Sequence, residues 1–270
     1  MTRGARLARE LGILGAVLVL LAGAAFAATR LLFPRSLRSP DIARSLDDAL
    51  GPLMVDQIRA TRKVIDEPVV AAGFSALMGR LLPAIPGSRL TVEVLVIDSP
   101  DINAFTLPGR VICVDTGLVR ELDSAPEMAA VLGHELGHVV NRDPLALLAR
   151  ELGVAAIAGA VSGGQGGALL SNMVETIVNM HYGREAEDRA DVFSVDLLAR
   201  AGIPPDSFAK ALARIGATAQ GHPGLMKYLD PHSPLDRRVE RAKEQARREH
   251  AAVRALGVQW KNIVKALPRS

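Results

Sequence analysis

Cysteine and aromatic side chains are scarce in this sequence of 270 residues. The one cysteine, Cys113, lies in the apolar run RVICVD and is interpreted as a small buried hydrophobic residue. A single cysteine excludes an internal disulfide, and it argues against a structural zinc site, which is usually closed by several cysteine or histidine ligands. Aromatic residues make up 3% of the chain, which argues against a stacking platform for single-stranded nucleic acid.

A strong charge of one sign is also missing. The formal net charge is +3 and the basic residues are spread along the chain, so no nucleic-acid partner is predicted. The basic stretch from Arg237 to Lys265 is interpreted as the solvated face of a helix. Apolar residues make up 49% of the sequence, which predicts a packed core.

The N-terminal segment carries a long uncharged and mostly apolar run. Leu11–Thr29 contains no charged residue and follows three arginines, and the letters AAFAA offer a small-x-small cleavage site ending at Ala27. Residues 1–30 are therefore predicted to be a signal peptide or an N-terminal membrane anchor. A buried core helix is disfavoured because no polar face interrupts the run. Cleaved or retained, the segment predicts export to the cell envelope, in the periplasm or anchored to the membrane and facing outwards.

The remaining pattern is mostly helical with a small β-sheet, an α+β fold. RLTVEVLVID alternates like a strand, and INAFTL and RVICVD read as a hairpin joined by Pro108 and Gly109. A helix is predicted to begin at Ser124, whose hydroxyl can cap it, and Pro144 should end or kink that helix. Gly202 stands in the stop position of a later helix.

The stretch AAVLGHELGHVV, Ala129–Val140, contains the pattern H-E-x-x-H at His134, Glu135 and His138. Two histidines four residues apart lie on one face of a helix and can share a zinc ion. Glu135 can then take a proton from the water that the metal activates. The alternative is a chance match, with two ordinary half-buried histidines on an amphipathic helix.

A catalytic zinc usually needs a further protein ligand, and the later stretch GREAEDRADVF offers acidic candidates. Glu187 and Asp191 are four residues apart, hence on one helical face, whereas Glu185 faces elsewhere. Since a ligating histidine usually donates its second ring N–H to a carboxylate, Glu187 is predicted as the ligand and Asp191 as the partner of a histidine. The alternative is a solvated acidic face balanced by the neighbouring arginines.

Three motifs in this order resemble one family: INAFTLPGRVICVDTGLVREL, EMAAVLGHELGHVVNRD and EAEDRAD. They are similar to the HtpX- and BepA-type zinc endopeptidases, gluzincins that are related to the CAAX prenyl proteases. The resemblance covers roughly Leu90 to Val239. It implies a zincin-like metalloprotease domain, one zinc ion per chain, and a ligand set of His134, His138 and Glu187.

The resemblance also implies how substrate is held. The family's N-A-F strand lies beside the cleft and pairs with an extended substrate, and here it corresponds to Asn103, Ala104 and Phe105. The family usually has a second glycine after Pro-Gly, where this chain has Arg110.

The family also implies two residues near the C-terminal end that stabilise the oxyanion, and these correspond to His232 and Arg238. In this chain Ser233 separates His232 from the proline that usually follows the histidine directly. His232 could instead act as an inhibitory fourth zinc ligand or serve only a structural role.

These observations predict residues 31–270 as one metallopeptidase domain, with N-terminal helices over 41–82, a catalytic core over 83–240 and a basic helix over 234–255. The predicted function is zinc-dependent endoproteolysis of misfolded or damaged envelope proteins. The N-terminal segment would provide any membrane association. The alternative is a catalytically weak zinc-binding module that holds unfolded chains without cutting them.

Overall fold

A computed structural model describes residues 23, 40–87, 89–163, 166–179, 182–219, 235–249 and 251–268. The predicted signal or anchor segment, apart from Gly23, and His232 lie outside these residues. Contacts divide the chain into two units, Met1–Leu46 and Asp47–Ser270. In the first unit, the described residues are Gly23 and the beginning of helix α1, which spans Pro40–Thr61. All that follows concerns the second unit.

The sheet has three strands, which are β1 (Glu93–Ile97), β2 (Ala104–Leu107) and β3 (Val111–Asp115). Their order is β1-β3-β2, with β1 parallel and β2 antiparallel to β3. The predicted hairpin is therefore confirmed, and it leaves β2 at an edge of the sheet. All residues of β2 and β3 are buried, including Cys113, as expected for a sheet covered by helices.

The turn between β2 and β3 packs closely against helix α1. A Cβ on Gly109 would overlap the Cα of Gly51, so the contact requires glycine. The next residue, Arg110, adopts a left-handed φ of 65°, which favours glycine and which the family usually fills with one. The Arg110 guanidinium forms an ion pair with Asp48 of α1 at 2.8 Å. This side-chain contact accompanies the strained backbone conformation of Arg110.

Helix α2, Pro68–Leu81, begins at a proline and continues into a short 3₁₀ turn over Leu82–Ala84. Its buried face, which includes Phe74, Leu77 and Leu81, joins the central core. After the sheet come a short helix α3, Thr116–Glu121, and helix α4, Ala125–Asn141.

Helix α4 carries the H-E-x-x-H pattern and is the most buried helix of the second unit. The Ser124 hydroxyl accepts a hydrogen bond from the Glu127 N–H, which confirms the predicted cap. The helix ends at Asn141, because Arg142 adopts a left-handed φ of 53°. The prediction that Pro144 ends it is therefore wrong in position, since Pro144 lies in the first turn of helix α5, Asp143–Glu151, where a proline is compatible with the helix.

Helices α6 (Val154–Val161) and α7 (Gly166–Asn179) lead to helix α8, Arg184–Ala201, which ends at the predicted Gly202. Among the described helices none is both long and apolar enough to cross a membrane by itself, although α5 and α6, bent by 110°, meet those criteria as a pair.

Helix α8 packs along α4 through two glycines of α4. A Cβ on Gly137 would come within 2.9 Å of the Ala190 Cα, and one on Gly133 within 3.0 Å of the Ser194 hydroxyl. That hydroxyl donates to the Ala130 carbonyl at 2.7 Å. These glycines therefore allow the two helices to approach each other closely.

Helices α9 (Ser207–Ala219), α10 (Leu235–Arg248) and α11 (Trp260–Ala266) complete the described chain. The basic helix α10 ends at Arg248, earlier than the predicted residue 255, and the Arg254 N–H donates to the carbonyl of Gly202 instead of continuing the helix. Helix α11 was not predicted. Its Trp260 ring N–H donates to the Leu122 carbonyl at 2.7 Å. The prediction of a solvated basic face is wrong for Arg238, which is 1% exposed.

Candidate metal centre

Two histidines of α4 and one glutamate of α8 meet in the interior, and we call His134, His138 and Glu187 the metal triad. Each is buried, and one possible ligand atom from each lies within 4.8 Å of the other two. The two Nε2 atoms are 3.2 Å apart. The Glu187 oxygens lie 3.5 Å from the Nε2 of His134 and 3.7 Å from that of His138.

The spacing and chemistry of the metal triad fit zinc. Zinc binds imidazole nitrogen and carboxylate oxygen at about 2.0–2.2 Å, so ligands in a tetrahedral arrangement lie about 3.3–3.5 Å apart. The separations of 3.2–3.7 Å are close to that requirement. Two histidines and one carboxylate leave a fourth tetrahedral position for water, as catalytic zinc sites do.

His134 is oriented by a carboxylate from the neighbouring helix. Its Nδ1 lies 3.1 Å from Asp191 Oδ1, which leaves Nε2 directed at the triad. Asp191 is held in turn by the buried guanidinium of Arg238, whose Nε and Nη2 donate to its two oxygens at 2.8 and 2.7 Å. Arg238 Nη2 also lies 3.4 Å from Glu187. This two-pronged pairing links α10 to both acids of α8.

His138 is oriented by a carboxylate from its own stretch of chain. Its Nδ1 lies 2.8 Å from Asp143 Oδ2, just past the left-handed turn at Arg142. The other Asp143 oxygen lies 3.5 Å from the half-exposed guanidinium of Arg189. Both histidines therefore present Nε2 to the triad and Nδ1 to a carboxylate.

The charges around the triad favour a cation. Burial disfavours protonation of His134, but Asp191 and Glu187 outweigh it and raise the pKa of His134 to about 10. Burial alone would raise the pKa of Glu187, but His134 and Arg238 outweigh it and lower that pKa to about 2. The same opposing effects lower the pKa of Asp191 to about 2. Without a metal, the site thus holds a proton on imidazole beside two ionised carboxylates, and a metal ion can replace that positive charge.

An aromatic ring lies against each imidazole. Phe208 of α9 stacks on His134, with ring centroids 5.7 Å apart, and Tyr182 lies against His138 at 4.1 Å. Burial raises the pKa of the Tyr182 hydroxyl well above its usual value, so the hydroxyl stays protonated as a donor. These rings exclude water from the ligating side chains.

Glu135 lies next to the triad but is not within it. It is 3% exposed, and its carboxylate accepts a hydrogen bond from the Thr106 hydroxyl of β2 at 2.8 Å. This hydrogen bond therefore connects helix α4 to strand β2. An ionised glutamate here can accept a proton from a reacting water.

Strand β2 presents backbone groups at the sheet edge beside the metal triad. The Asn103 carbonyl accepts from the Asp115 N–H of β3 at 3.0 Å. Because successive residues of an antiparallel strand alternate between the two sides, the backbone groups of Ala104 and Thr106 face away from β3. The Thr106 carbonyl accepts a long hydrogen bond, 3.4 Å, from the Tyr182 hydroxyl on that side.

The structure brings most of the predicted site residues together. His134, His138, Glu187, Glu135, Asp191 and Arg238 all lie in or against the metal triad, and Asn103, Ala104 and Phe105 lie buried at the β2 edge. The other acidic candidates of α8 point elsewhere, since Glu185 is exposed and Asp188 pairs with Arg241 at 2.7 Å. The position of His232 is not described.

Four residues of the site were not predicted from the sequence, namely Asp143, Thr106, Tyr182 and Phe208. The rule that a ligating histidine pairs with a carboxylate could have pointed to Asp143, because it is the first acid after His138. Thr106 and Tyr182 reach the site only through tertiary packing.

Comparisons with known proteins agree with this geometry. A match to peptidase family M48 spans residues 76–246. The metalloprotease LoiP of Escherichia coli K12 is 29% identical over 214 residues, which cover 75% of this chain and 83% of that protein. The beta-barrel assembly-enhancing protease of Yersinia pestis is 24% identical over 251 residues, covering 82% of this chain and 49% of that protein.

A mitochondrial metalloendopeptidase, OMA1 of Arabidopsis thaliana, is 33% identical over 140 residues, which cover 52% of this chain and 28% of that protein. The chain therefore spans about half, or less, of the length of two of these relatives. The family match includes the metal triad together with Glu135, Asp143, Asp191 and Arg238.

Proposed function

This chain belongs to peptidase family M48, and from that premise we propose that it is a zinc-dependent metalloendopeptidase with one zinc ion per chain. The observation that carries the proposal is the buried metal triad with Glu135 beside it. A two-histidine, one-carboxylate set resembles catalytic zinc sites more than structural ones.

In this proposal His134, His138 and Glu187 would hold the ion. When bound, zinc lowers the pKa of a coordinated water and polarises a peptide carbonyl. Glu135 accepts the proton of the attacking water and passes it to the leaving amine, a role that its burial and its position between His134 and His138 on α4 support. Asp191 and Asp143 keep the two imidazoles in the tautomer that ligates through Nε2.

We propose that substrate binds as an extended strand along the β2 edge, at Asn103, Ala104 and Phe105. Outward-facing backbone groups at Ala104 and Thr106 support this, because they can pair with any extended peptide irrespective of its side chains. Such a mode suits unfolded or misfolded proteins, whose backbones are accessible. It requires the long Tyr182–Thr106 hydrogen bond to give way.

His232 and Arg238 remain proposed as stabilisers of the oxyanion. The contacts of Arg238 with Asp191 and Glu187 also support a second role, in which it positions the acids of α8.

We further propose that the chain works in the cell envelope in protein quality control, with residues 1–30 as signal or anchor and 31–270 as one peptidase domain. The names of the similar proteins include a protease that enhances β-barrel assembly, which supports this setting. A fusion of Met1–Ser39 to a reporter should carry the reporter across the cytoplasmic membrane. A reporter that is active only in the cytoplasm would contradict the envelope assignment.

The alternative function, a zinc-binding module that holds unfolded chains without cutting them, is less well supported. Holding a chain requires neither Glu135 nor its hydrogen bond from Thr106. The two functions separate cleanly, since a holding module would bind unfolded protein equally well with and without that carboxylate.

The decisive experiment combines metal analysis with cleavage of casein. The wild type should contain zinc and cleave, and Glu135→Gln should keep zinc and fold but lose about two to four orders of magnitude in turnover. Glu187→Ala should lower zinc content, whereas the exposed neighbour variant Glu185→Ala should not. Full turnover in Glu135→Gln would refute the mechanism, and zinc loss in Glu185→Ala alone would refute the ligand assignment.

A further inference from the structure

Thr106 is a fully buried residue of β2 whose hydroxyl touches the glutamate of the H-E-x-x-H pattern. Its Oγ1 lies 2.8 Å from Glu135 Oε2 and 3.2 Å from the backbone carbonyl of the same residue. Strand β2 thus contacts the carboxylate proposed as general base through a single side chain.

The hydroxyl has one proton to donate, and two oxygens of Glu135 are within reach. The carboxylate is the nearer acceptor and carries charge when ionised, so it receives the stronger hydrogen bond. Threonine is β-branched and stiff about χ1, and Thr106 lies opposite Ile112 within a strand that is paired with β3 on both sides of it. The donor is therefore held in place before any substrate arrives.

A carboxylate on a glutamate side chain can rotate about three bonds, and only some orientations can receive a proton from a water at the metal. A hydrogen bond to Oε2 restricts this rotation and leaves Oε1 available. We propose that Thr106 is a positioning residue for the peptidase reaction, which holds Glu135 in the orientation that accepts the proton. This inference rests on the proposed function and adds a residue to it.

The competing explanation is that the hydroxyl only fastens β2 to α4. Both explanations predict some loss of stability when the hydroxyl is removed. They differ in what happens to turnover at equal stability, and in whether Glu135 keeps its orientation.

The test uses Thr106→Val, which has nearly the same shape but lacks the hydroxyl, and Thr106→Ser, which retains it. The full chain is loaded with zinc and assayed on casein and on an unfolded peptide. For Thr106→Val we expect kcat to fall about ten- to a hundredfold, part of the about 10²–10⁴-fold that a positioned base contributes, with KM and zinc content unchanged. For Thr106→Ser we expect kcat within about threefold of the wild type, because the donor is retained.

Thr116→Val is the matched control. The Thr116 hydroxyl is also buried and donates to the Ser99 carbonyl at 2.9 Å. The same hydroxyl accepts a hydrogen bond from the Ser99 N–H. These contacts lie outside the metal centre. This variant should lose stability to a similar extent and keep its kcat. If Thr106→Val does not fold, Thr106→Ala takes its place in the same comparison.

A crystal structure of the metal-free Thr106→Val protein supplies a readout independent of turnover. We expect the Glu135 carboxylate to occupy more than one rotamer there and a single one in Thr116→Val. If Thr106→Val keeps wild-type kcat, or if kcat falls equally in Thr116→Val, the positioning role is wrong. The proposed function would still stand in that case, because the wild type is active. An inactive zinc-loaded wild type would instead contradict the proposed function.

Discussion

The two histidines of the metal triad receive the same kind of support from different parts of the molecule. His134 is oriented by Asp191, which belongs to helix α8. Asp191 accepts two hydrogen bonds from the buried Arg238 of helix α10. His138 is oriented by Asp143, which follows in the same stretch of chain and lies 3.5 Å from the half-exposed guanidinium of Arg189. The His134 side therefore depends on tertiary packing, whereas the His138 side is built largely by a local turn.

The largest difference should appear when each guanidinium is removed. Arg238→Met removes the buried guanidinium that pairs with two buried carboxylates, and we expect a loss of about 3–5 kcal/mol in the free energy of unfolding of the metal-free protein. Arg189→Met removes a half-exposed charge and should cost about 0–1 kcal/mol. Urea unfolding in the presence of a chelator measures both, and equal losses would contradict the comparison.

Removing either carboxylate should lower zinc affinity to a similar extent, whereas the loss of stability should differ between the two variants. Asp191→Asn and Asp143→Asn each remove an oriented partner of a ligating histidine, and zinc affinity should fall about ten- to a hundredfold in both. Asp191→Asn should in addition destabilise the protein, because it leaves the Arg238 guanidinium buried beside a neutral amide. Competition with a zinc-binding dye and urea unfolding separate the two effects. A larger loss of stability in Asp143→Asn than in Asp191→Asn would contradict the comparison of the two sides.

The His134 side should also give the metal-free protein a characteristic dependence on pH. The pKa of His134 is raised from about 6.5 in the unfolded chain to about 10 in the fold, so its protonation stabilises the folded state. That contribution is complete below pH of about 6.5 and is lost as pH rises towards about 10. In chelator we therefore expect Tm to fall by several degrees over this range. His134→Gln should show a flatter profile, and an unchanged slope in that variant would assign the effect to other groups.

The smallest effect should come from the hydroxyl of Tyr182 on the His138 side. Tyr182→Phe keeps the ring against His138 and removes only a hydrogen bond of 3.4 Å, so stability and zinc affinity should change by less than about 0.5 kcal/mol. Tyr182→Ala removes the ring and should cost about 0.5–1.5 kcal/mol beyond the lost buried area. Thermal unfolding with and without zinc checks both variants. A large loss in Tyr182→Phe would show that the hydroxyl matters more than the ring.

The residues that share a helical face were largely predictable from the sequence. Spacing put His134 and His138 on one face of α4, because helical periodicity is a property of the backbone. Spacing together with the rule that a ligating histidine pairs with a carboxylate chose Glu187 and Asp191 among the acids of α8. The cap at Ser124 and the stop at Gly202 followed from equally local chemistry.

The contacts that helical spacing does not cover were not predictable in the same way. The charge pattern around Arg238 indicated a solvated basic face, and only the family resemblance placed this residue at the site, because nothing in its neighbours reveals that α10 turns it towards α8. Asp143 was overlooked because Pro144 suggested a later end for α4, whereas the left-handed Arg142 ends the helix earlier and turns the chain back to His138. Thr106 needed the sheet to be placed against α4 before its hydroxyl had a partner.

The hydrogen bond from Trp260 to the Leu122 carbonyl joins residues 138 positions apart, immediately ahead of helix α4. Contacts of such separation form late, because closing a long loop costs entropy that only the finished contacts repay. A nascent chain leaving the ribosome would thus expose the H-E-x-x-H helix well before it contains either Trp260 or Arg238. Glu187 and Asp191 would then lack the buried guanidinium that pairs with them. Translation itself therefore postpones completion of the centre, so a half-made chain does not yet contain the site that is proposed to cut proteins.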